Sequence, residues 1–245
     1  MQLDKVKIQK NFDRYASLYD ENSRLQKRVA MELCSRAKFR GKVLDIGAGT
    51  GFIKNHTGWD ITNLDISPKM CELAGEGAIC ADAAAIPLPD ESFDNVISSL
   101  TIQWISDLRP VAEEIKRLLK PNGNFAISTF VNGSLEELKS SFSFLDNSEH
   151  VLEFESPLRL FAVLKQAGFH NITMHSQNIT YHYNSVREIL NSMKYIGASY
   201  QNESMPKGLR GKQYFEKLEN VYRAKYEKNA KLPVSWVVSY ITGKK

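Results

Sequence analysis

Three stretches of this 245-residue chain carry residue types and spacings suited to holding a nucleoside. The first is Val43-Leu44-Asp45-Ile46-Gly47-Ala48-Gly49-Thr50-Gly51, an apolar run entering a glycine turn with Asp45 just ahead of it. Glycines let the backbone bend sharply and approach a ligand closely, because no Cβ stands in the way. A dinucleotide-binding turn has the spacing G-x-G-x-x-G. Counted from Gly47, its third glycine would fall on Phe52, whose ring blocks the close helix–strand packing that glycine permits. The second stretch ends at Asp65, eighteen residues after Gly47, where a carboxylate can accept hydrogen bonds from both hydroxyls of a ribose. The third is Asp82-Ala83, leading into Ile86-Pro87-Leu88-Pro89-Asp90. A carboxylate there can accept from an adenine amino group while a neighbouring backbone N–H donates to a ring nitrogen. Asp82 would serve equally as a helix N-cap.

These residues need a scaffold that brings them to one rim. Val43–Ile46, Ile61–Leu64, Ala78–Ala81, Phe93–Ser98 and Asn124–Phe130 read as short strands, and helical patterns separate them. Ser67-Pro68 opens one helix as N-cap and first residue. Pro110–Lys120 is a second, with Val111, Ile115, Leu118 and Leu119 as its apolar stripe and Pro121-Asn122-Gly123 as its stop. Alternation of this kind predicts an α/β fold, a mostly parallel sheet with helices on both faces. Ligands then sit outside the carboxyl ends of the strands. Gly47, Asp65, Asp82 and Ser98 all follow or end strands, so all are expected there.

Residues 1–40 read as two helices. Phe12, Tyr15, Ala16 and Tyr19 fall on one face of the first; Tyr19 is either a plain core contact or the part of a cap that covers the ligand. After the fifth strand come helices over Ser134–Leu145 and Pro157–Ala167, and a strand over Asn171–Tyr183. A polar helical stretch over 185–230 follows, with turn signals at Gly197 and Met205-Pro206-Lys207-Gly208, and then a closing strand over Pro233–Thr242. The stretch over 185–230 is a helical insertion between the last two strands, placed as a lid would be. One domain over 1–245 is expected: a helical cap over 1–40, a ligand-binding core over 41–131 and the lid over 185–230.

Charged residues make up 24% of the chain and the net charge is +4, as in ordinary globular proteins. No run of about 18 apolar residues suggests a membrane span, and the polar first ten residues do not form a signal peptide. Lys and Arg are scattered, which argues against a nucleic-acid arm and suits an acidic protein partner or an anionic substrate. Three cysteines and five histidines lack ligand spacing, so no metal is expected, and a reduced, cytoplasmic protein is.

The D-x-G-x-G-x-G turn resembles motif I of the Rossmann-like S-adenosyl-L-methionine (SAM) methyltransferases, in which it holds the methionine end of SAM. The whole chain is similar to the malonyl-[acyl-carrier protein] O-methyltransferases of biotin synthesis. The resemblance rests on Phe12, Ala16 and Tyr19 followed by Leu25-Gln26, and on Ser98-Ser99-Leu100-Thr101-Ile102-Gln103-Trp104, where Ser99 replaces the usual Asn. It rests also on Gly133-Ser134-Leu135-Glu136-Glu137-Leu138 and, late in the chain, on Lys194–Ala198, Gly208–Lys212, Tyr222 and Leu232-Pro233. The resemblance implies a seven-stranded Rossmann-like sheet and methylation of the free carboxyl of a malonyl group on acyl carrier protein, leaving S-adenosyl-L-homocysteine (SAH). The expected cofactor contacts are Tyr19, Asp45, Gly47, Ala48, Gly49, Asp65, Ile66, Asp82, Ala83 and Ser98. Trp104 is the expected substrate contact. Arg14 and Arg210 are either the cation that orients the carboxylate or solvated surface charges. A malonyl carboxyl is ionised at neutral pH, so no catalytic base is expected. A monomer acting without nucleic acid or membrane is the expected form. The other readings are a SAM methyltransferase of a small molecule, such as a quinone precursor, and a SAM-binding partner protein without catalysis.

Overall fold

The computed structural model describes residues 3–197 and 211–245. Seven strands form one sheet in the order β3-β2-β1-β4-β5-β7-β6. The strands are β1 (Lys42–Ile46), β2 (Asp60–Asp65), β3 (Ile79–Cys80), β4 (Phe93–Ser99), β5 (Leu119–Phe130), β6 (His170–Tyr183) and β7 (Leu232–Lys244). β3, β2, β1, β4 and β5 run parallel, whereas β7 lies antiparallel between β5 and β6. The parallel strands are short and apolar because both their faces are buried: Val43, Leu44, Val96 and Ile97 are wholly inaccessible.

Alternate residues of each strand feed two cores. On one face Val43, Ile97, Ala126 and Tyr240 pack with α2 (Arg24–Arg36), α6 (Glu136–Ser143), α8 (Val186–Lys194) and α9 (Lys212–Tyr226). On the other face Leu44, Val96, Ile127 and Ile241 meet α5 (Leu108–Leu118) and α7 (Pro157–Gln166). The chain winds from β1 outward through β2 and β3, then returns to lay β4 on the other side of β1. That reversal opens a crevice beyond the carboxyl ends of β1 and β4, the place where such sheets bind ligands.

Short helices α3 (Phe52–His56) and α4 (Pro68–Ala74) make the first crossovers. Ser67 caps α4, its hydroxyl accepting from the Met70 N–H, and Pro68 opens it, as the Ser-Pro pair predicts. α5 departs from its expected bounds. Asp107 caps it by accepting from the Arg109 N–H, so it starts at Leu108 and Pro110 falls harmlessly in its first turn. It ends at Leu118 because Leu119 turns extended and pairs with Phe93. Pro121-Asn122-Gly123 therefore does not stop a helix; it forms an irregular part of β5, where the pairing with β4 slips. Between residues 5 and 36 the chain is two helices as expected, α1 (Lys5–Asn22) meeting α2 at Ser23. The turn signal at Met205–Gly208 lies outside the described residues, as do Ala198 and Arg210.

Candidate active site

β1 ends in the glycine turn, and almost every N–H of that turn is used internally. Gly47 and Ala48 donate to the Leu64 carbonyl at 2.7 and 3.0 Å, and Gly51 to Ala48 at 3.0 Å. Gly49 donates to Asp65 Oδ2 at 2.9 Å. A turn built this way offers carbonyls, not a nest of N–H donors, and so does not cradle a phosphate. Gly47 has φ +75°, and a Cβ there would lie 2.1 Å from Thr101 Oγ1, so only glycine lets β1 and the segment after β4 approach this closely.

Asp45 is buried beneath the turn, and neither of its carboxylate oxygens has a hydrogen-bond partner in the protein. Burial, reinforced by the charge of Asp65, raises its pKa to about 8. Asp65 ends β2 with Oδ1 accepting from the Ser67 N–H and Oδ2 from Gly49, both at 2.9 Å. Burial raises its pKa against the pull of those N–H groups. Each oxygen keeps a second lone pair, and Asp65 lines the cleft.

Ile66, Asp82 and Ala83 line the same cleft with Gly47, Gly49 and Tyr19. No helix follows Asp82. Its Oδ1 accepts from the Ala84 N–H at 2.9 Å in a tight turn, and its Oδ2 pairs with Lys5 Nζ at 2.5 Å. Ser98 is not at the cleft: it is fully buried, and its hydroxyl donates to the Ile46 carbonyl at 2.8 Å, tying β4 to β1. The period-two alternation of the strand turns its neighbour to the rim, and Ser99, Leu100 and Thr101 line the cleft instead. Ala48 is half-buried in the turn and does not line the cleft either.

α1 lies across this rim. Lys5 reaches Asp82, Asp13 accepts from Ser67 Oγ at 2.6 Å, and Thr50 Oγ1 donates to Asp20 at 2.9 Å. Residues 5, 13 and 20 are spaced by two helical turns, so one side of α1 meets the loops after β3, β2 and β1 in succession. Ile8, Phe12 and Tyr19 face into the cleft. Burial, with the nearby carboxylates of Asp65, Asp20 and Asp45, pushes the Tyr19 phenol far above its ordinary pKa, so it stays protonated. Tyr15, on the edge of the expected stripe, meets Tyr195 at 6.4 Å between ring centroids. Trp104 closes the cleft beside Phe12, edge to face at 5.7 Å. Gln103 pins the turn carrying Trp104, its amide donating to the Leu100 carbonyl at 2.6 Å and accepting from Thr129 at 3.1 Å. Arg14 is exposed, its guanidinium over the Tyr15 ring, and does not line the cleft.

Sequence reasoning missed Lys5, Ile8, Leu100 and Thr101 as cleft residues. Ile8 sits four residues before Phe12, one turn further along the stripe that Phe12 and Tyr19 mark. Lys5 carried no signal, because its role depends on where Asp82 lies in space.

Residues 44–127 match the model of the family described as "Methyltransferase domain". The malonyl-[acyl-carrier protein] O-methyltransferase of Gallionella capsiferriformans is 30% identical over 261 residues, covering 97% of this chain and 90% of that protein. The chain belongs to the malonyl-[acyl-carrier protein] O-methyltransferase family. The chain is similar also to part of a longer protein described as bifunctional. The biotin biosynthesis bifunctional protein BioHC of Cellvibrio japonicus is 30% identical over 98% of this chain and 50% of its own length. In fold the chain is similar to a SAM-dependent methyltransferase of Thermotoga maritima, described as a possible histamine N-methyltransferase, with a TM-score of 0.60, 18% identity, and coverage of 96% and 98% of the two chains.

The cleft suits SAM chemically. A methionine end brings an ammonium group, for which the carbonyl-bearing turn offers acceptors; Asp45 lies buried beneath that turn and does not itself line the cleft. An adenosine end brings two ribose hydroxyls and an amino group, and Asp65 and Asp82 stand along the rim in that order.

Proposed function

We propose that this protein transfers the methyl group of SAM to the free carboxylate of malonyl-acyl carrier protein in the biotin pathway, forming the methyl ester and SAH. The observation that carries this reading is kinship along nearly the whole chain with proteins of that name. In the SAM complex Asp45 and the Gly47 and Gly49 carbonyls hold the methionine end, Asp65 the ribose, and Asp82 with the Ala83 N–H the adenine. Ile66 packs against the base. Tyr19 and Phe12 cover the cofactor from α1, and Trp104 borders the acceptor.

SAM supplies an electrophilic methyl group on a sulfonium. What remains for the chain is to align an oxygen that is already ionised and to strip water from it. No residue need remove a proton. The titratable side chains among the described residues lining the cleft suit that division: Lys5 and Asp82 hold each other, Asp65 holds the turn, and Tyr19 keeps its proton. Alignment of this kind supplies several kcal/mol without acid–base chemistry. We also propose that α1 and the insertion over 185–230 close over the bound substrates. The three cysteines are free thiols, and we place the protein in the cytoplasm, acting as a monomer.

The decisive experiment incubates the protein with methyl-labelled SAM and malonyl-acyl carrier protein. Label should appear on the carrier and be released by mild alkali as volatile methanol, as from a methyl ester. Label that alkali does not convert to volatile methanol, or label only on a small molecule, overturns the reading.

A further inference from the structure

Behind Trp104 lies a second cavity, of about 130 Å³. Trp104 lines both it and the SAM cleft, so the indole is the wall between them. Its other walls are apolar: Phe130, Leu138, Phe154 and Trp236 from the sheet side, and Leu190 and Met193 from α8. Of the four side chains there with nitrogen atoms, Gln103 is engaged with Leu100 and Thr129, and His150 Nε2 with Asp146 at 2.7 Å; the other two are the indoles of Trp104 and Trp236. No Lys or Arg lines this chamber among the described residues.

A third cavity, of about 180 Å³, shares Met193, Ile196 and Trp236 with the second. Its character is different. Asn22, Arg24, Gln26, His182 and Ser192 line it, at the junction of α1 and α2 and the end of β6. Three compartments therefore adjoin in a row, polar, then apolar, then the SAM cleft.

We propose that the polar and apolar compartments form a channel for the acceptor's thioester arm, entering from the side away from SAM. The inference rests on the proposed carboxyl methylation and gives that site its second mouth. A malonyl thioester is a carboxylate, one methylene and an uncharged thioester, followed on a carrier protein by a flexible arm rich in amides. The apolar chamber matches the methylene and thioester. It would strip a carboxylate of water and return no cation, so the carboxylate passes on to the Trp104 wall. The amides of the arm find donors and acceptors in the outer compartment, where Asn22, Gln26 and Ser192 can replace water. α8 is then the part of the insertion that touches substrate.

Malonyl-S-pantetheine, which is the arm without the carrier, is the probe. Leu190→Trp fills the apolar chamber and Ser192→Trp narrows the outer one. Both should raise KM for malonyl-S-pantetheine by about tenfold or more while SAH affinity, measured by calorimetry, stays at the wild-type value. Saturation-transfer NMR on the SAH complex should show malonyl-S-pantetheine bound to the wild type and not to Leu190→Trp. Ser192→Trp should leave KM for the short malonyl methyl thioester unchanged. Met193→Ala only removes atoms, and should raise turnover of the longer glutaryl thioester relative to malonyl. A Leu190→Trp protein with wild-type SAH affinity and unchanged KM and NMR binding overturns the channel while leaving carboxyl methylation standing. A wild type that turns over no malonyl thioester overturns both.

Discussion

Asp45 and Asp65 are two carboxylates of one turn with opposite fates. Asp65 is held by two backbone N–H groups, so its geometry is set before any ligand arrives. Replacing it by Ala frees the Gly49 and Ser67 N–H groups and removes the ribose acceptor. SAM affinity should fall by roughly 1.5–3 kcal/mol for each charge-assisted bond lost, and calorimetry showing wild-type affinity would defeat the assignment. Asp45 has no such partners and a pKa near 8 against an ordinary value of 3.8. The native protein therefore binds more protons here than the unfolded chain does between those two values, and this group's contribution to stability falls as pH rises through that window. An ammonium group beside it favours the ionised form, so SAM binding should release a proton below about pH 8 and tighten as pH rises towards it. Calorimetry in buffers of different ionisation enthalpy reads that proton directly, and Asp45→Asn should abolish both the release and the slope. Turnover at saturating SAM should stay flat from about pH 6 to 9, because the acceptor is already ionised there. A rise of slope one that a single His or Tyr substitution removes would mean that a base is used.

At the scale of elements, α1 behaves as a strap and α9 as a pillar. α1 touches the rim through side-chain pairs at Lys5, Asp13 and Asp20, and the Lys5–Asp82 pair is half-exposed. A surface ion pair contributes at most about 1 kcal/mol, so that pair adds little to what holds α1 on the rim. SAH should slow amide exchange along α1, and Asp13→Ala, which takes the partner from Ser67 Oγ and the Lys69 N–H, should speed SAH release with little change in melting temperature. α9 differs. Leu218 and Tyr222 are fully buried, and the Tyr222 hydroxyl donates to the Pro233 carbonyl at 2.7 Å. Its amides should be protected with or without ligand, so that among the described residues any closure of the insertion falls to α8. Equal and rapid exchange in α8 and α9, unaffected by ligands, would count against this division of labour.

For the whole molecule the relevant quantity is a net charge of +4 facing an acidic carrier. Complementary charge acts on encounter more than on the bound state, and it is screened as the Debye length shrinks from about 30 Å in dilute salt to about 3 Å at molar salt. KM for malonyl-acyl carrier protein should therefore rise with ionic strength, while KM for malonyl-S-pantetheine, which lacks the carrier, should change little. Parallel rises for both would place the salt effect inside the site rather than on the surface.

The sequence by itself determined the strand–helix alternation, the glycine turn and the strand-end acids. Each of these rests on short-range rules: buried parallel strands must be apolar, a tight turn with φ +75° favours glycine at 47, and Ser67-Pro68 is a local helix start. Where a local signal was ambiguous, tertiary pairing decided. Pro121-Asn122-Gly123 looks like a helix stop, but Leu119 is drawn into the sheet by Phe93. Ser98 follows the motif, yet strand alternation turns it inward to Ile46 and hands the rim to Ser99. Asp82 as N-cap and Asp82 as cleft residue read alike until Lys5, seventy-seven positions away, arrives beside it. The apolar chamber behind Trp104 had no signature at all, because most of its wall comes from β5, α6, α8 and β7 and most of its residues are ordinary core types. Local order follows from neighbours along the chain, whereas a cavity exists only where distant segments fail to fill the space between them.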